Sequence, residues 1–200
     1  MIEYPVIQRG IRRSEQIYAF DKIDGSNVRA EWSKKRGFYK FGTRKRLMDE
    51  TDPKFGKAKA LILEKYAEDL ESIFIKERQQ KAVAFFEFHG PNSFAGYHNE
   101  DDDHTVTLFD VAYQHGILEP KDFIKKFGKL DVPPVLWVGN ANSVLIDLVK
   151  TGQLEGMTFE GVVCKGKYIS PGYPLMFKIK NEEWIQKLKE NYLERFEELL

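Results

Sequence analysis

The chain has 200 residues and a mass of 23.3 kDa, enough for one domain with a sizeable core and too little for two full-sized ones. Hydrophobic residues make up 42% and charged residues 31%, an ordinary globular balance that excludes a disordered or collagenous protein, and no apolar run approaches the ~18 residues of a membrane span. The 31 Lys and Arg cancel the 31 Asp and Glu, but unevenly: residues 1–60 carry a net +7 and residues 61–200 a net −7.

The opening Met1-Ile2-Glu3-Tyr4-Pro5 has no basic region followed by an apolar stretch, so it does not read as a secretory signal. Residues 16–32 predict two short strands around a turn at Asp24-Gly25-Ser26-Asn27, a cluster of strong turn formers. Residues 36–43 are aromatic and extended. They lie within a stretch from Lys34 to Arg46 that holds seven basic residues and no acid. A long helix is predicted from about Pro53 to Gln80, where Leu61, Ile62, Leu70, Ile73 and Phe74 recur at spacings of three and four. Strands follow at Ala82–Phe88, Val106–Ala112 and Val135–Val138, with short helices at Lys121–Phe127 and Ser143–Lys150. Phe159–Lys165 and Leu175–Lys180 are two more strands. The last segment, Glu182–Leu200, is an amphipathic helix with Trp184, Ile185, Leu188, Tyr192, Leu193 and Phe196 on one side. Strands broken by helices at irregular intervals predict an α+β domain built on mainly antiparallel sheet, not repeated βαβ units.

The common phosphate-binding motifs, GxxxxGK[ST] and GxGxxG, are missing. The four histidines have no metalloprotease spacing, and Glu100-Asp101-Asp102-Asp103-His104 reads as a solvated acidic loop. Cys164, the one cysteine, alternates within an apolar strand as a small core residue; it can form no internal disulfide. Lys22-Ile23-Asp24-Gly25 is compatible with an exposed hairpin lysine or with a nucleophile held at the mouth of a pocket. An amine attacks only when neutral, so the second role requires desolvation or nearby cations.

Four further features follow in order. Phe85-Phe86-Glu87-Phe88 sets one carboxylate in an apolar strand, and Leu108-Phe109-Asp110-Val111 is a strand carrying an aromatic. Glu160-Gly161-Val162-Val163-Cys164-Lys165 carries a second strand carboxylate. Lys178-Ile179-Lys180 places two lysines on the same face of one strand. In this order the five features resemble the covalent nucleotidyltransferase superfamily of ATP-dependent RNA ligases, DNA ligases and mRNA capping enzymes, over about residues 20–181. The chain is most similar to the RNA ligase branch, because Asn27 stands where DNA ligases and capping enzymes usually carry arginine. The segment Phe41-Gly42-Thr43-Arg44 also resembles the one that supplies an arginine in RNA ligases; Arg29 stands too far along to replace the missing one.

The resemblance implies the ligase adenylyltransferase (ATP-grasp-like) fold, ATP with Mg2+ or Mn2+ as cofactors, and a lysyl-AMP intermediate. It makes Lys22 the nucleophile and Lys178 and Lys180 the cations at the transferring phosphate, where their field is also expected to keep Lys22 partly neutral. Arg44 is assigned to the nucleotide, Glu87 to the ribose hydroxyls, Phe109 to stacking on the purine, Glu160 to the metal and Asp24 to the turn. Lys34, Lys35, Arg36, Lys40, Lys45 and Arg46, interleaved with aromatics, are expected to track a nucleic-acid backbone.

The expected partners are RNA 5′-phosphate and 3′-hydroxyl ends, with DNA or an RNA–DNA hybrid as alternatives, and no membrane. The expected state is a monomer in the cytoplasm, the host's if the protein is phage- or virus-encoded. Ligases of this superfamily usually carry a further domain, an OB-fold in DNA ligases and capping enzymes. Only twenty residues follow Lys180, so the chain reads as a catalytic domain alone, either naturally minimal or cut from something longer, with a separate accessory domain or protein as a candidate partner. A DNA nick ligase, a capping-type guanylyltransferase and a non-catalytic nucleotide- or nucleic-acid-binding module are the competing readings.

Overall fold

The computed structural model describes residues 2–9, 16–48, 51–52, 55–91 and 103–199. In chain order the elements are β1 (Gln8–Arg9), β2 (Gln16–Asp21), β3 (Ser26–Ser33), β4 (Gly37–Thr43), α1 (Gly56–Lys76), β5 (Lys81–His89), β6 (Thr105–Tyr113) and β7 (Gly116–Ile117). There follow α2 (Pro120–Phe127), β8 (Val135–Asn140), α3 (Ser143–Lys150), β9 (Gly161–Ser170), β10 (Tyr173–Lys180) and α4 (Glu182–Asn191). The strands form two five-stranded sheets, ordered β1-β10-β9-β2-β8 and β4-β3-β5-β6-β7. Every pairing is antiparallel except that of β1 with β10. The protein is thus α+β, as its sequence predicts. Among the described residues no helix is long and apolar enough to cross a membrane.

The two strands predicted at residues 16–32 form on either side of the turn but do not pair with each other: β2 pairs with β8 and β9, and β3 with β4 and β5. Each strand is hydrogen-bonded along both edges within its own sheet, so the segment Lys22–Gly25 crosses from one sheet to the other. Gly25 permits the crossing, because a Cβ there would meet the carbonyl oxygen of Phe88 at 2.6 Å.

α1 carries a buried stripe, Ala58, Ile62, Tyr66, Leu70 and Phe74, at a spacing of four residues. The stripe packs against Val28, Ala30 and Trp32 of β3 and Ala84 and Phe86 of β5. Burying each large side chain of the stripe contributes about 2 kcal/mol. α3 covers the other sheet through Leu145, Ile146 and Val149, against Ile17, Val162 and Leu175. Cys164 is fully buried there, in the core role its strand alternation predicts. Between the sheets, Tyr4 packs with Val83, Phe85 and Ala112.

Several boundaries differ from expectation, among them the end of α1 at Lys76, four residues short of Gln80, and the end of β9 at Ser170, five beyond Lys165. α1 begins at Gly56; Pro53 lies outside the described residues. β9 begins at Gly161, not Phe159, because Gly161 has φ +133° and the chain bends there. The last helix ends at Asn191, where Tyr192 leaves helical geometry (φ −140°, ψ 48°), and short helical turns follow at Leu193–Arg195 and Phe196–Leu199. Leu193 is therefore exposed, whereas Trp184 and Leu188 are buried against Phe159.

Candidate active site

The facing ends of the two sheets enclose a cavity of about 610 Å³. The sheet order explains its lining. β2, β9 and β10 are neighbours in one sheet and deliver Lys22, Glu160, Lys178 and Lys180; β3, β5 and β6 are neighbours in the other and deliver Asn27, Glu87 and Phe109. Arg44, just after β4, closes one side. Lys22 and Lys180, 158 positions apart, thus meet at one site.

Glu160 is the electrostatic centre. Its carboxylate is buried and accepts from Lys22 Nζ at 2.7 Å through Oε2 and from Lys180 Nζ at 2.9 Å through Oε1. Gly161 makes that convergence sterically feasible, because a Cβ at this residue would lie 2.2 Å from the carbonyl oxygen of Ile179 and 2.8 Å from Cα of Lys180. Burial pushes the Glu160 carboxyl up, but Lys22 and Lys180 outweigh it and hold it below its ordinary value.

The two lysines respond in opposite directions. Burial would lower Lys22, yet the charges of Glu160 and Glu87 and the hydrogen bond it donates to Glu160 raise it above its ordinary value. Burial lowers Lys180 to about 8; Glu160 opposes that shift, while Lys22 and Lys178 add to it. The expectation that Lys178 and Lys180 keep Lys22 partly neutral therefore does not hold in the ligand-free protein, because three carboxylates face Lys22. Lys180 is the more readily deprotonated of the two. Its ammonium also lies 3.6 Å from the ring centroid of Trp184, whose indole N–H donates to Asp24 Oδ2 at 3.2 Å. α4 thus braces both the turn after Lys22 and the end of β10, and its amphipathic pattern had given no sign of this.

Glu87 makes no hydrogen bond or ion pair among the described residues. Burial pushes its carboxyl up to about 8; Glu160 and Asp24 add to the shift, and Lys22 and Arg44 oppose it. Phe109 is half-buried on the wall, 5.0 Å from the ring of Tyr4 in an edge-to-face arrangement. Behind it, Lys165 Nζ donates to Asp110 Oδ2 at 2.8 Å and to the carbonyl oxygen of Phe109 at 2.9 Å, and the Tyr4 hydroxyl donates to the same Asp110 oxygen at 2.8 Å. Asp110 and Lys165 are absent from the expected site. Their signal was available, since each is a charge inside an apolar strand. Tyr4 gave none.

The basic stretch is divided. Arg44, Lys45 and Arg46 line the cavity, although Arg46 also pairs with Asp52 at 2.5 Å. Lys34, Lys35 and Arg36 form the turn at the opposite end of the β3–β4 hairpin, and Lys40 lies on its edge opposite Glu31. Arg29 points elsewhere, donating to the carbonyl oxygen of Ile2 at 2.7 Å. Of the acidic run, Glu100–Asp102 lie outside the described residues, and His104 stacks on Phe88 at 4.9 Å.

Among the described residues no group of three or more His, Cys, Asp or Glu is arranged to hold a metal by itself. The oxygen-only set of Glu87 and Glu160 nevertheless fits a hard cation that keeps most of its water and phosphate ligands, as magnesium does. Glu160 would have to release a lysine to join it; Glu87 has its oxygens uncommitted.

A profile of the RNA ligase family matches residues 15–180. Among solved structures, the Naegleria gruberi RNA ligase with pyrophosphate is similar over 94% of this chain and 60% of its own, at 14% identity and a TM-score of 0.64. A variant of that ligase with ATP and Mn is similar over 89% and 52%, at 13% identity and a TM-score of 0.63. An archaeal ATP-dependent RNA ligase is similar over 92% and 50%, at 19% identity and a TM-score of 0.63. These likenesses establish a shared fold, and the chain spans 50–60% of the length of those structures. No curated protein matches.

Proposed function

Because the chain belongs to the RNA ligase family, we propose that it is the nucleotidyltransferase domain of an ATP-dependent RNA ligase, acting on RNA 5′-phosphate and 3′-hydroxyl ends. One observation carries this reading: Lys22 and Lys180 share the buried Glu160 carboxylate on the wall of a cavity of about 610 Å³.

In the proposed reaction the Lys22 amine attacks the α-phosphorus of ATP, a P–N bond forms, the bond to the β-phosphate oxygen breaks, and pyrophosphate leaves. The amine must first lose a proton, and for that the contact with Glu160 Oε2, which holds Lys22 charged, has to break. Lys178 and Lys180 supply positive charge where the non-bridging oxygens gain negative charge. Arg44 offers a planar fork for phosphate or ribose, Glu87 accepts from the ribose hydroxyls, and Phe109 presents its face to the purine. Bound Mg2+ or Mn2+ would offset phosphate charge, held by Glu87 or Glu160. AMP then passes to the RNA 5′-phosphate and is displaced by a 3′-hydroxyl. Arg44, Lys45 and Arg46 lie at the mouth where that strand would enter.

Incubation with α-labelled ATP and Mg2+, followed by denaturing electrophoresis, tests the reading. An acid-labile adduct is expected, absent in Lys22→Ala, with the AMP passing on to 5′-phosphorylated RNA. An adduct from GTP alone would favour a capping-type transferase; transfer to DNA but not RNA would favour a nick ligase. No adduct from either nucleotide, together with no sealing of pre-adenylated RNA, would overturn it in favour of a binding module.

A further inference from the structure

The turn Lys34–Arg36 looks isolated in sequence, but the fold sets it beside a second basic segment. Ser33 pairs with Lys81 at the end of β3 and β5, and the Lys34 amide donates to the carbonyl oxygen of Gln80 at 3.1 Å. The end of α1 is fixed to the same place by Phe74, which packs on Trp32 and Phe38 at 5.2 and 6.3 Å between centroids. Lys34, Lys35, Arg36, Lys76, Arg78 and Lys81 are therefore gathered at one pole, all exposed and none in an ion pair among the described residues. The acids nearby are largely engaged. Glu77 pairs with Lys126, Glu31 accepts from Tyr39, and only half-buried Glu71 stands beside Gly37. Arg36 also lies over the Tyr39 ring at 4.2 Å, a cation–aromatic platform at the rim.

Arg78 is an independent sign. It is the non-glycine residue with positive φ (55°) among those described, at the end of α1 where the Gln79 amide donates to the carbonyl oxygen of Phe74 at 2.9 Å. That helix-ending position favours glycine, which has no Cβ to crowd the backbone. Here an exposed cation occupies it, three residues before Lys81.

We propose that this pole is a second polynucleotide-backbone site, which anchors the RNA remote from the end being joined; the RNA substrate rests on the function proposed above. Ser26, on the cavity wall, and Ser33, at the pole, are seven strand steps apart along β3, about 23 Å. At about 3.4 Å per nucleotide, a strand leaving the cavity needs roughly seven nucleotides to reach the pole. Short RNA would engage the cavity alone and longer RNA both sites.

Two variants separate charge from folding. Arg78→Gly removes a cation and relieves the backbone, so its Tm should equal or exceed that of the parent. Lys34→Glu/Arg36→Glu/Lys81→Glu reverses the field. Fluorescence anisotropy would compare an RNA of about 25 nucleotides with one of about 6. For the longer RNA, affinity should fall about threefold in Arg78→Gly and more than about tenfold in the triple variant, and the salt slope of Arg78→Gly should drop by about one. The short RNA should bind all three proteins alike. Equal affinity and slope for the longer RNA in every protein would overturn the proposal. So would variant-sensitive binding to phosphatidylcholine–phosphatidylserine vesicles without RNA binding, which would make the pole a lipid site. Binding needs no turnover, so a protein that forms no lysyl-AMP can still pass or fail this test.

Discussion

Lys22 and Lys180 share one carboxylate, at 2.7 and 2.9 Å from Glu160, yet their surroundings push them apart: Lys22 is held charged and Lys180 is brought down to about 8. Lys22 faces Glu160, Glu87 and Asp24. Lys180 is buried against Trp184, with Lys22 and Lys178 as cationic neighbours. The proposed chemistry needs a neutral Lys22 beside a charged Lys180. A value of about 8 leaves Lys180 largely charged at pH 7, and the negative charge of a bound triphosphate holds it so; Lys22 is the lysine whose state must change.

In the ligand-free protein, NMR titration of the lysine side chains should give Lys180 a midpoint near 8, moving upward when ATP is added. Lys22→Ala removes a neighbouring cation and should raise the Lys180 midpoint without nucleotide. A midpoint insensitive to both would contradict the coupling.

Glu160→Gln leaves two lysines without their counter-ion in a buried site. Chemical denaturation should show a loss of about 3 kcal/mol, typical of a buried pair deprived of one partner. Lys22 adduct formation should separately fall by more than about a hundredfold, which corresponds to about 3 kcal/mol of lost transition-state stabilisation.

Glu87 makes stability depend on pH. Its folded-state value of about 8 exceeds the ordinary 4.5, so the folded protein keeps a proton that the unfolded chain has released. Its contribution is complete below about 4.5 and is lost as pH rises through about 8. Glu87→Gln should flatten this fall, gaining about 2 kcal/mol over the parent by pH 9 after allowance for solvent screening. Thermal melts from pH 5 to 9 would reveal it as a widening gap between the two proteins.

Trp184 separates packing from bracing. Trp184→Ala empties a fully buried site and should cost about 4 kcal/mol, whereas Trp184→Phe keeps an aromatic face for Lys180 and loses only the bond to Asp24, about 1 kcal/mol. If the two variants melt together, α4 is not the brace described here.

Asp110 and Lys165 form a pair with 1% and 3% of their side chains exposed. Either Asp110→Ala or Lys165→Met alone should destabilise by about 3–5 kcal/mol, and the double variant by less than the sum. ATP affinity should weaken in the single variants through Phe109, whose carbonyl oxygen accepts from Lys165.

The motif strands were readable because charges stood out against apolar neighbours. Lys22, Arg44, Glu87, Phe109, Glu160, Lys178 and Lys180 all line one cavity. Asp110 and Lys165 carried the same signal and went unassigned because each sat beside a residue already given a role. Tyr4 and Trp184 could not be read at all. Tyr4 precedes any regular element, and Trp184 sits on a helix whose apolar stripe looks like plain packing. The strands at residues 16–32 were legible but their partners were not, because turn formers mark where a chain bends, not which strands pair.

Local patterning thus determined the element types, the α+β class and which charges would be placed on strands, because side-chain alternation and helical spacing are properties of neighbouring residues. The two-sheet topology decided the rest. It sent β2 and β3 into different sheets, gave Lys22 three facing carboxylates, and divided the basic stretch between the cavity and a distant pole. The zero net charge hides two cationic regions, one of which includes Lys76, Arg78 and Lys81, contributed by α1, β5 and the turn between them. Electrostatic environment depends on distance in space and on burial, and both are set only when strands far apart in sequence pair.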